Sequence, residues 1–446
     1  MVRVAIVGSG PAGIYAAAAL TKAGHAEVDV LDRLPCPFGL VRYGVAPDHP
    51  KIKSIAAALH KVLDEPSVRF LGNVAVGTDV SIAELHEHYD AIIFANGAAI
   101  DRRLGIPGED FAGSISATDF VNWYNGHPDA PIDKYALDAR TVAVIGVGNV
   151  AVDVARVLAK TSDELRITDV PGHVLDVLAA SRIEDIHVLG RRGPVQAKWT
   201  THELRELGEL ANADIVVRQD ELVLDDASTE HLAADAGARR NFEALQAWAE
   251  RPLEGKPRRV HLRFLLRPAE LVGDTAVEGV RLVRTELDGT GSARDTDAGC
   301  LLDTQLVVRS VGYRGVAIPG LPFDEQKGTV PHLGGRVLRD GVPVPGEYVA
   351  GWIKRGPTGV VGTNKHDANE TVDSLLADSL LADGLPAAIE RDRDGLPALL
   401  RTRGVTVVTW QGWASIEQAE RDLGAASGRE REKIADRQAL LRAAGH

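Results

Sequence analysis

Residues 2–13 read VRVAIVGSGPAG, and they open the chain. Six mainly apolar residues predict a strand, the glycines predict a tight turn, and the alanine-rich stretch 14–23 predicts a helix. In a G-x-G-x-x-G loop Gly8 permits the turn, Gly10 lets a pyrophosphate approach the backbone, and Gly13 lets helix and strand pack closely. The stretch therefore predicts a dinucleotide-binding fold, with phosphates at the helix N-terminus.

An acidic residue stands where such a fold needs one. The second strand, 28–31, is followed by Asp32, about 20 residues after the glycine loop. A carboxylate there accepts hydrogen bonds from the hydroxyls of an unphosphorylated ribose, which fits FAD or NAD. The alternative interpretation of Asp32 is a turn residue that merely ends a strand. A further apolar strand, 90–97, continues the alternation of strand and helix that predicts a parallel, doubly wound sheet.

The same pattern starts again in the middle of the chain. Residues 141–145 predict a strand, 146–151 read GVGNVA, and 152–160 predict a helix. The next strand, 185–189, is followed by Arg191 and Arg192, where an NAD-binding fold would carry an acid. Two guanidinium groups suit a ribose 2′-phosphate, whereas the alternative is a solvated basic turn. We therefore assign FAD to the first fold and NADPH to the second, because an enzyme with two nicotinamides would have nothing to exchange.

The composition of the chain limits the classes of protein to which it can belong. The 446 residues, 45% hydrophobic and 25% charged, are typical of two or three globular domains. The net charge of −13 argues against a nucleic-acid partner. No apolar run reaches the roughly 20 residues of a membrane span, and the chain starts directly with a strand, so we expect a cytoplasmic protein. The two cysteines, Cys36 and Cys300, form neither a disulfide framework nor a redox dithiol motif.

The order of elements predicts an inserted domain. The fold class is α/β, with two Rossmann-like, three-layer nucleotide-binding domains in a glutathione-reductase-like arrangement. We expect an FAD domain at 1–104 and 315–384, an NADP domain inserted at 105–314, and a helical extension of the FAD domain at 385–446.

Within these domains the later elements are predicted from composition. Residues 225–258 predict a polar excursion with one helix, and 260–310 predict antiparallel strands. The glycine- and proline-rich stretch 312–346 predicts a connection, which leads to a strand at 347–352 and a helix from about Asp367. Trp410 and Trp413 in the tail are interpreted as packing anchors.

Three long motifs resemble one known family, the adrenodoxin-reductase type of ferredoxin–NADP reductase in its bacterial form. They are PFGLVRYGVAPDHP at 37–50, GRRGP at 190–194 with 200–206, and GWIKRGPTG at 351–359. The resemblance covers nearly the whole chain. It implies a flavoprotein that takes hydride from NADPH onto FAD and passes single electrons to ferredoxin. There are two departures: Asp32 stands where the family usually has glutamate, and residues 385–446 align poorly with the family.

The resemblance also implies site residues. Those expected to line FAD are Gly8, Gly10, Ala12, Gly13, Asp32, Leu40, Val76, Trp352, Gly359, Val360 and Val361. Those expected to contact NADPH are Arg102, Gly148, Asn149, Val150, Arg191, Arg192, Glu203 and Gly359.

Two further pairs concern catalysis and docking. His49 and Glu206 resemble the pair near the nicotinamide, where they could orient the ring or move a proton; the alternative is a loop histidine and a surface glutamate. Arg239 and Arg240 resemble a docking position for an acidic ferredoxin, with Lys198 and Arg205 as neighbours; the alternative is a solvated charge pair. We expect a transient complex with ferredoxin, a monomeric protein, and no metal, nucleic-acid or membrane partner.

Several rival classes lack their own motifs in this chain. A disulfide reductase would need a redox cysteine pair, an FAD monooxygenase its F-x-G-x-x-x-H motif, and the small subunit of glutamate synthase an N-terminal cysteine cluster. Two alternatives stay open at the level of sequence. One is an NADPH diaphorase with a quinone acceptor, and the other is a flavin-binding scaffold without turnover.

Overall fold

The computed structural model describes residues 2–24, 26–380 and 392–446. The chain divides into two units. Unit 1 comprises Met1–Ile100, Asn125–Asp129 and Tyr313–His446, and unit 2 comprises Asp101–Tyr124 and Ala130–Gly312. The sequence placed the boundaries at 104/105 and 314/315, and part of the expected extension, 385–391, lies outside the described residues.

The strands of the described residues are β1 Val2–Val7, β2 Ala26–Asp32, β3 Val68–Gly72, β4 Ala91–Phe94, β5 Ile100–Asp101, β6 Ser114–Ser116, β7 Thr141–Ile145, β8 Asp185–Leu189, β9 Ala213–Val217, β10 Arg258–Arg263, β11 Leu266–Val272, β12 Gly279–Leu287, β13 Ala293–Asp303, β14 Leu306–Arg309, β15 Tyr313–Arg314, β16 His332–Leu333, β17 Arg336–Arg339 and β18 Val342–Val349.

The α-helices of the same residues are α1 Pro11–Ala23, α2 Leu40–Tyr43, α3 Pro50–Lys53, α4 Ala56–Leu63, α5 Ile82–His88, α6 Ala117–Tyr124, α7 Asn149–Ala159, α8 Ser162–Arg166, α9 Gly172–Ala180, α10 Thr201–Leu207, α11 Asp226–Ala234, α12 Ala236–Glu250, α13 Trp352–Arg355, α14 Thr363–Leu380, α15 Gly395–Thr402, α16 Trp410–Ala426 and α17 Arg437–Ala443. Among them, none is both long and apolar enough to cross a bilayer.

Unit 1 is built on a seven-stranded sheet in the order β16-β17-β18-β4-β1-β2-β3. The five strands from β18 to β3 are parallel, with Val4 opposite Val28 and Ile6 opposite Ile93. These residues are fully buried, because layers of other elements cover both faces of the sheet. The carboxyl ends of β1 and β2 consequently carry the first glycine loop and Asp32 at one edge of the sheet.

The prediction that 312–346 is only a connection was wrong. This stretch contains β16, β17 and the start of β18, which form two successive antiparallel hairpins at the edge of the unit 1 sheet. Each hairpin has a two-residue loop in the left-handed region, Gly334–Gly335 with φ of +56° and +86°, and Asp340–Gly341 with φ of +52° and +79°. Positive φ at both loop positions matches the twist of a tight hairpin. The strands are so short that their turn residues dominate the composition.

Unit 2 contains a six-stranded parallel sheet in the order β6-β14-β7-β8-β10-β9 and a separate antiparallel sheet β11-β12-β13. The prediction of antiparallel strands throughout 260–310 was therefore wrong at both ends. Val260 in β10 lies opposite Ile186, and Val308 in β14 lies opposite Val144, in parallel register. Both valines are fully buried. Strands buried on both faces belong inside a parallel sheet rather than on a half-solvated antiparallel one.

The parallel sheet of unit 2 is the middle of three layers. One face packs against helices in a core that includes Val144, Val188 and Leu158. The other face packs against the antiparallel sheet through a core that includes Ile145 and Leu282. The polar excursion 225–258 holds two helices, α11 and α12, where the sequence predicted one. Unit 2 thus has the three layers expected of a nucleotide-binding domain.

The short segment 125–129 was expected in the NADP domain but packs within unit 1. The His127 ring lies 4.9 Å from that of Tyr43, and Asp129 accepts a hydrogen bond of 2.8 Å from Arg437. These contacts hold the segment against the 37–50 motif and the tail. In the tail itself Trp413 is 1% exposed, as expected of a packing anchor.

Candidate functional site

The three glycines of the first loop have different surroundings. A Cβ on Gly8, whose φ is +115°, would lie 2.4 Å from the carbonyl oxygen of Ala95, and one on Gly13 would lie 1.9 Å from that of Gly8. Both positions therefore accept only glycine. A Cβ on Gly10 would meet nothing within 4 Å. The middle glycine thus leaves open space beside the backbone, as the approach of a pyrophosphate requires.

The helix that follows presents an uncapped N-terminus to this space. Gly10 is the N-cap of α1, and no side chain caps it. The first-turn amides, which include those of Ala12 and Gly13, have no partner within a helix. Together with the positive end of the helix dipole they favour an anion at this end. The loop and the helix end therefore fit a dinucleotide phosphate.

Asp32 joins the end of β2 to this loop. Its carboxylate accepts hydrogen bonds from the Ser9 amide at 2.9 Å, the Ser9 hydroxyl at 2.6 Å and the Leu34 amide at 2.9 Å. A carboxylate has about four lone-pair positions, so one further donor can still be accepted. Asp32 is thus the strand-end residue of the alternative interpretation and also keeps capacity for a ribose hydroxyl.

The motif at 37–50 folds onto the same loop. The Phe38 amide donates to the Ser9 carbonyl at 2.9 Å, with a φ of +81° at Phe38. A Cβ on Gly39 would lie 3.0 Å from Cα of Gly10. Leu40 begins α2 directly after this turn, so the structure places it beside the first glycine loop. Val76 is half-buried against the apolar core on one face of the sheet.

The motif at 351–359 also reaches the first loop. A Cβ on Gly351 would lie 2.5 Å from Cβ of Ala12. Trp352 begins α13, and its indole N–H donates to the Thr358 carbonyl at 3.2 Å. Gly359, Val360 and Val361 precede α14, and the Val360 amide donates to Thr363 Oγ1 at 3.2 Å. That amide is therefore already engaged in the start of the helix.

One residue that shapes this motif was missed in the sequence. Asp367 is buried, accepts from the Gly351 amide, and lies 2.9 Å from Arg355 and 3.0 Å from Lys354. The sequence predicted a helix from about Asp367, whereas α14 begins at Thr363. A buried carboxylate one turn inside that helix is what fixes the Gly351 turn.

In the second glycine loop, in unit 2, the first glycine likewise forms the turn and the second leaves open space. A Cβ on Gly146, whose φ is +133°, would lie 2.1 Å from the Ser310 carbonyl oxygen, whereas one on Gly148 would meet nothing within 4 Å. Ala151, which replaces the third glycine, is fully buried. Gly148 is the N-cap of α7 without a side-chain cap, and Asn149 and Val150 supply first-turn amides. This loop too fits a dinucleotide phosphate.

Arg191 and Arg192 follow β8 at the same edge of the unit 2 sheet. Their backbone is held by a hydrogen bond of 2.7 Å from Thr285 to the Arg191 carbonyl and one of 3.1 Å from Leu265 to the Arg192 carbonyl. Within residues 2–24, 26–380 and 392–446, no carboxylate forms an ion pair with either guanidinium group. Two positive charges on a fixed turn are thus available for a phosphate.

Glu203 lies in a buried charge network that the sequence analysis did not find. Arg156 is 1% exposed, and its guanidinium lies 2.8 Å from Asp153, 3.4 Å from Glu203 and 3.4 Å from Glu206. The available signal was the Asp153/Arg156 spacing of three residues inside an otherwise apolar helix. Glu203 is therefore positioned by Arg156.

Asn149 ties the second loop to α10, the helix that carries this network. Its side-chain oxygen accepts from the Thr200 amide at 2.8 Å. Thr200 in turn caps α10, because its hydroxyl accepts from the Glu203 amide at 3.3 Å. The first turn of α10 is thereby held beside the loop within unit 2.

The remaining predicted residues lie as follows. His49 is 5% exposed and is the N-cap residue of α3 in unit 1, whereas Glu206 lies in α10 of unit 2. Arg102 is exposed, and its amide donates to the Gly312 carbonyl at 2.9 Å. Arg239 and Arg240 are exposed in the first turns of α12, a helix that the sequence predicted to begin only at Asn241.

Both cysteines are free. Cys36 is buried in unit 1, and Cys300 is exposed in unit 2. Burial raises the pKa of the Cys36 thiol to about 11. A thiol with that pKa stays neutral near pH 7 and is a poor nucleophile, so Cys36 does not have the properties of a redox centre.

Comparison with known proteins finds a matching family model and several similar proteins. Residues 2–194 match the family model described as pyridine nucleotide-disulphide oxidoreductase. NADPH-ferredoxin reductase FprA of Mycobacterium tuberculosis is 47% identical over 98% of both chains. The mitochondrial NADPH:adrenodoxin oxidoreductase of Arabidopsis thaliana is 40% identical over 100% of this chain and 95% of its own length.

A solved structure is similar over the whole chain. The M. tuberculosis FprA structure in complex with NADPH has a TM-score of 0.94 at 46% identity and covers 100% of both chains. The predicted fold class, two glutathione-reductase-like nucleotide-binding domains, is confirmed by this similarity together with the two parallel sheets.

Proposed function

The chain belongs to the family of NADPH-ferredoxin and NADPH:adrenodoxin reductases, and on this premise we propose that it oxidises NADPH and reduces a ferredoxin. The overall reaction is NADPH plus two oxidised ferredoxins giving NADP⁺, a proton and two reduced ferredoxins. The cofactors supply the redox chemistry when bound, since FAD can accept a hydride and release its two electrons one at a time.

One observation carries this proposal, namely the different residues at the two strand ends. Asp32 follows β2 at the first glycine loop, whereas Arg191 and Arg192, without ion pairs in the described part of the chain, follow β8 at the second. A carboxylate accepts hydrogen bonds from a ribose diol and repels a phosphate, whereas two guanidinium groups attract a phosphate. This asymmetry supports FAD at the first loop and NADPH at the second.

The protein's own contribution is binding and orientation. The Gly10 and Gly148 loops would hold the two pyrophosphates at helix N-termini. Trp352, with Gly359 and Val361, would hold the flavin ring, and Arg102 and Glu203 would contact NADPH. Hydride transfer requires little acid–base chemistry from side chains. It depends instead on a fixed orientation of the two cofactors.

Anaerobic reduction of the purified protein tests the proposal directly. We expect NADPH to bleach the flavin absorbance rapidly, NADH to do so far more slowly, and added ferredoxin to restore the oxidised spectrum. Equal bleaching by both nucleotides would contradict the assignment of Arg191 and Arg192. Absence of bleaching would favour a flavin-binding scaffold, and reoxidation by a quinone but not by ferredoxin would favour a diaphorase.

His49 is proposed to orient the nicotinamide or to move a proton, together with Glu206. His49→Ala should slow flavin reduction by on the order of tenfold and change the dissociation constant of NADP⁺ much less, because orientation acts on the reaction step. Stopped-flow reduction and equilibrium titration measure the two quantities. His60→Ala, which removes another histidine of unit 1, is the control. An unchanged reduction rate in the His49 variant would remove this residue from the mechanism.

Arg239 and Arg240 are proposed to dock the acidic ferredoxin. Reversing both charges to glutamate should raise the Michaelis constant for ferredoxin by on the order of tenfold, and less at high salt, because exposed charges steer association. Ferricyanide reduction should not change, since a small anion needs no docking surface. The double variant Arg166→Glu/Arg182→Glu reverses two exposed charges of unit 2 outside α12 as a control. Equal changes with both acceptors would contradict docking at α12.

Three finer expectations stay predictions. A transient complex with ferredoxin fits a surface of exposed charges rather than an apolar one. A monomeric state and a cytoplasmic location also stay predictions from the sequence.

A further inference from the structure

A buried ion pair joins the 37–50 motif to the C-terminal tail within unit 1. Arg42 donates to one oxygen of Glu420 at 3.1 Å and to the other through its second terminal nitrogen. The two side chains are 4% and 0% exposed. Burial opposes the charge of Arg42, yet Glu420 holds the pKa of that guanidinium well above its ordinary value. A two-pronged pair of this kind fixes both the distance and the angle between the elements it joins.

The tail also holds Arg42 by two other contacts. Lys433 Nζ donates to the Arg42 carbonyl at 2.8 Å. The Trp413 ring lies 5.1 Å from the guanidinium carbon and 5.8 Å, edge to face, from the ring of Phe38. Both the backbone and the side chain of Arg42 are therefore immobilised by residues of α16 and the segment after it.

From Arg42 the contacts continue to the first glycine loop. The Arg42 amide donates to the Gly39 carbonyl at 3.1 Å, and the Phe38 amide donates to the Ser9 carbonyl at 2.9 Å. The turn at Phe38 and Gly39 has φ of +81° and +49°, and only 3.0 Å would separate a Gly39 Cβ from Cα of Gly10. A small rotation of this turn would therefore change the open space at Gly10.

Stability alone does not explain a buried ion pair at this place. Replacing such a pair by apolar residues of similar volume is often neutral or stabilising, because the cost of removing both charges from water disappears. What an apolar replacement cannot reproduce is the fixed two-pronged geometry. The fixed two-pronged geometry is therefore the property of this pair that acts on the turn at 38–40.

We propose that Glu420 is a positioning residue for FAD: through Arg42 it sets the turn 38–40 against the Gly8–Gly13 loop and thereby tightens FAD binding. The inference rests on the proposed function, because it requires FAD at the first loop. It assigns the C-terminal tail a part in cofactor retention, although no tail residue needs to touch the cofactor.

The test compares FAD binding with apoprotein stability. Apoprotein of the full chain is titrated with FAD, flavin fluorescence gives the dissociation constant, and a melting curve of the apoprotein gives stability. In R42M/E420L both charges are removed and volume is largely kept, so we expect the melting temperature to fall only slightly, mainly because the Ile434 amide loses Glu420 as its acceptor. Its dissociation constant for FAD should nevertheless rise by on the order of tenfold, as when a residue supporting a ligand contact is lost. The visible bands of bound flavin should shift as well.

Glu417→Gln is the matched control. Glu417 lies one turn earlier in α16 and pairs with Arg431 at 2.6 Å and Arg421 at 3.3 Å, not with the 37–50 motif. Its FAD dissociation constant should equal that of the parent. If R42M/E420L does not fold, Arg42→Lys replaces it, because that variant keeps a positive charge beside Glu420 and removes the two-pronged geometry.

The outcomes are distinguishable. A variant with parental FAD affinity and parental flavin bands would overturn the positioning role and leave the proposed function intact. Equal weakening in the Glu417→Gln control would also overturn it, since the effect would then not depend on the 37–50 motif. A parent protein that does not bind FAD would overturn the proposed function, and this inference with it.

Discussion

Gly10→Val gives a folded, colourless protein whose affinity for FAD falls by on the order of 100-fold or more. The backbone of Gly10 has ordinary extended angles, φ −73° and ψ 178°, and an added Cβ meets nothing within 4 Å. An added Cβ therefore meets no protein atom, and the branched side chain occupies the space of the pyrophosphate; a loss of about 2.7 kcal/mol corresponds to 100-fold. Visible absorbance of the purified protein and titration of the apoprotein with FAD measure the effect.

Two variants accompany it. Gly148→Val, the equivalent change in the second loop, should give a yellow protein that NADPH no longer reduces. Gly8→Ala should instead fail to fold, because its Cβ would lie 2.4 Å from the Ala95 carbonyl oxygen at a φ of +115°. A Gly10→Val protein that retains a full complement of FAD would show that the first loop does not hold the flavin nucleotide.

Removing both arginines after β8 should produce the other large effect. In the double variant Arg191→Ala/Arg192→Ala, kcat/KM for NADPH should fall by on the order of 1,000-fold, because each charge-assisted contact to a phosphate contributes roughly 1.5–3 kcal/mol. The value for NADH, which lacks the 2′-phosphate, should change little. Steady-state ferricyanide reduction with each nucleotide gives the ratio.

A matched control removes the same charge elsewhere. Arg182 and Arg251 are exposed arginines of unit 2 that are outside the motif at 190–194. Their double replacement by alanine should leave the preference for NADPH unchanged. A parallel loss of activity with both nucleotides in the Arg191/Arg192 variant would mean that these arginines support the turn rather than recognise the phosphate.

The sequence was informative where function restricts the residue type. Gly8 and Gly146 need positive φ, Gly10 and Gly148 need open space, and each requirement admits one residue, so the two loops could be found without a structure. The functions of the strand-end residues Asp32 and Arg191 could be predicted as well, because the charge at that position selects the nucleotide.

Short strands and sheet partners were much harder to predict. The Asp340–Gly341 dipeptide is a strong hairpin signal, but the strand before it has only four residues and the strand after it contains Pro343 and Pro345, so composition indicated a loop. For β10 and β14, the period of the apolar residues and their burial predict a strand, but they do not identify the strands that pair with it. Their parallel partners depend on β8 and β7, which are remote in sequence.

Long-range polar contacts were not predictable at all. Arg42 and Glu420 are 378 residues apart, and nothing local distinguishes either from a surface charge. Arg156 was similarly hidden, although its spacing from Asp153 gave a partial signal. Such pairs become visible only when the packing that buries them is known.

The parallel neighbours β4 and β18 of unit 1 are separated in the chain by all of Ala130–Gly312. During translation β1 to β4 therefore leave the ribosome with the hydrogen-bonding edge of β4 unfilled, and they must wait while an entire other domain is synthesised. The intervening domain, almost contiguous in sequence, can complete its own sheet first. Contacts of such high sequence separation make closure of the sheet slow and leave an apolar edge open to other chains in the meantime. The site that is encoded first in the chain is therefore completed last.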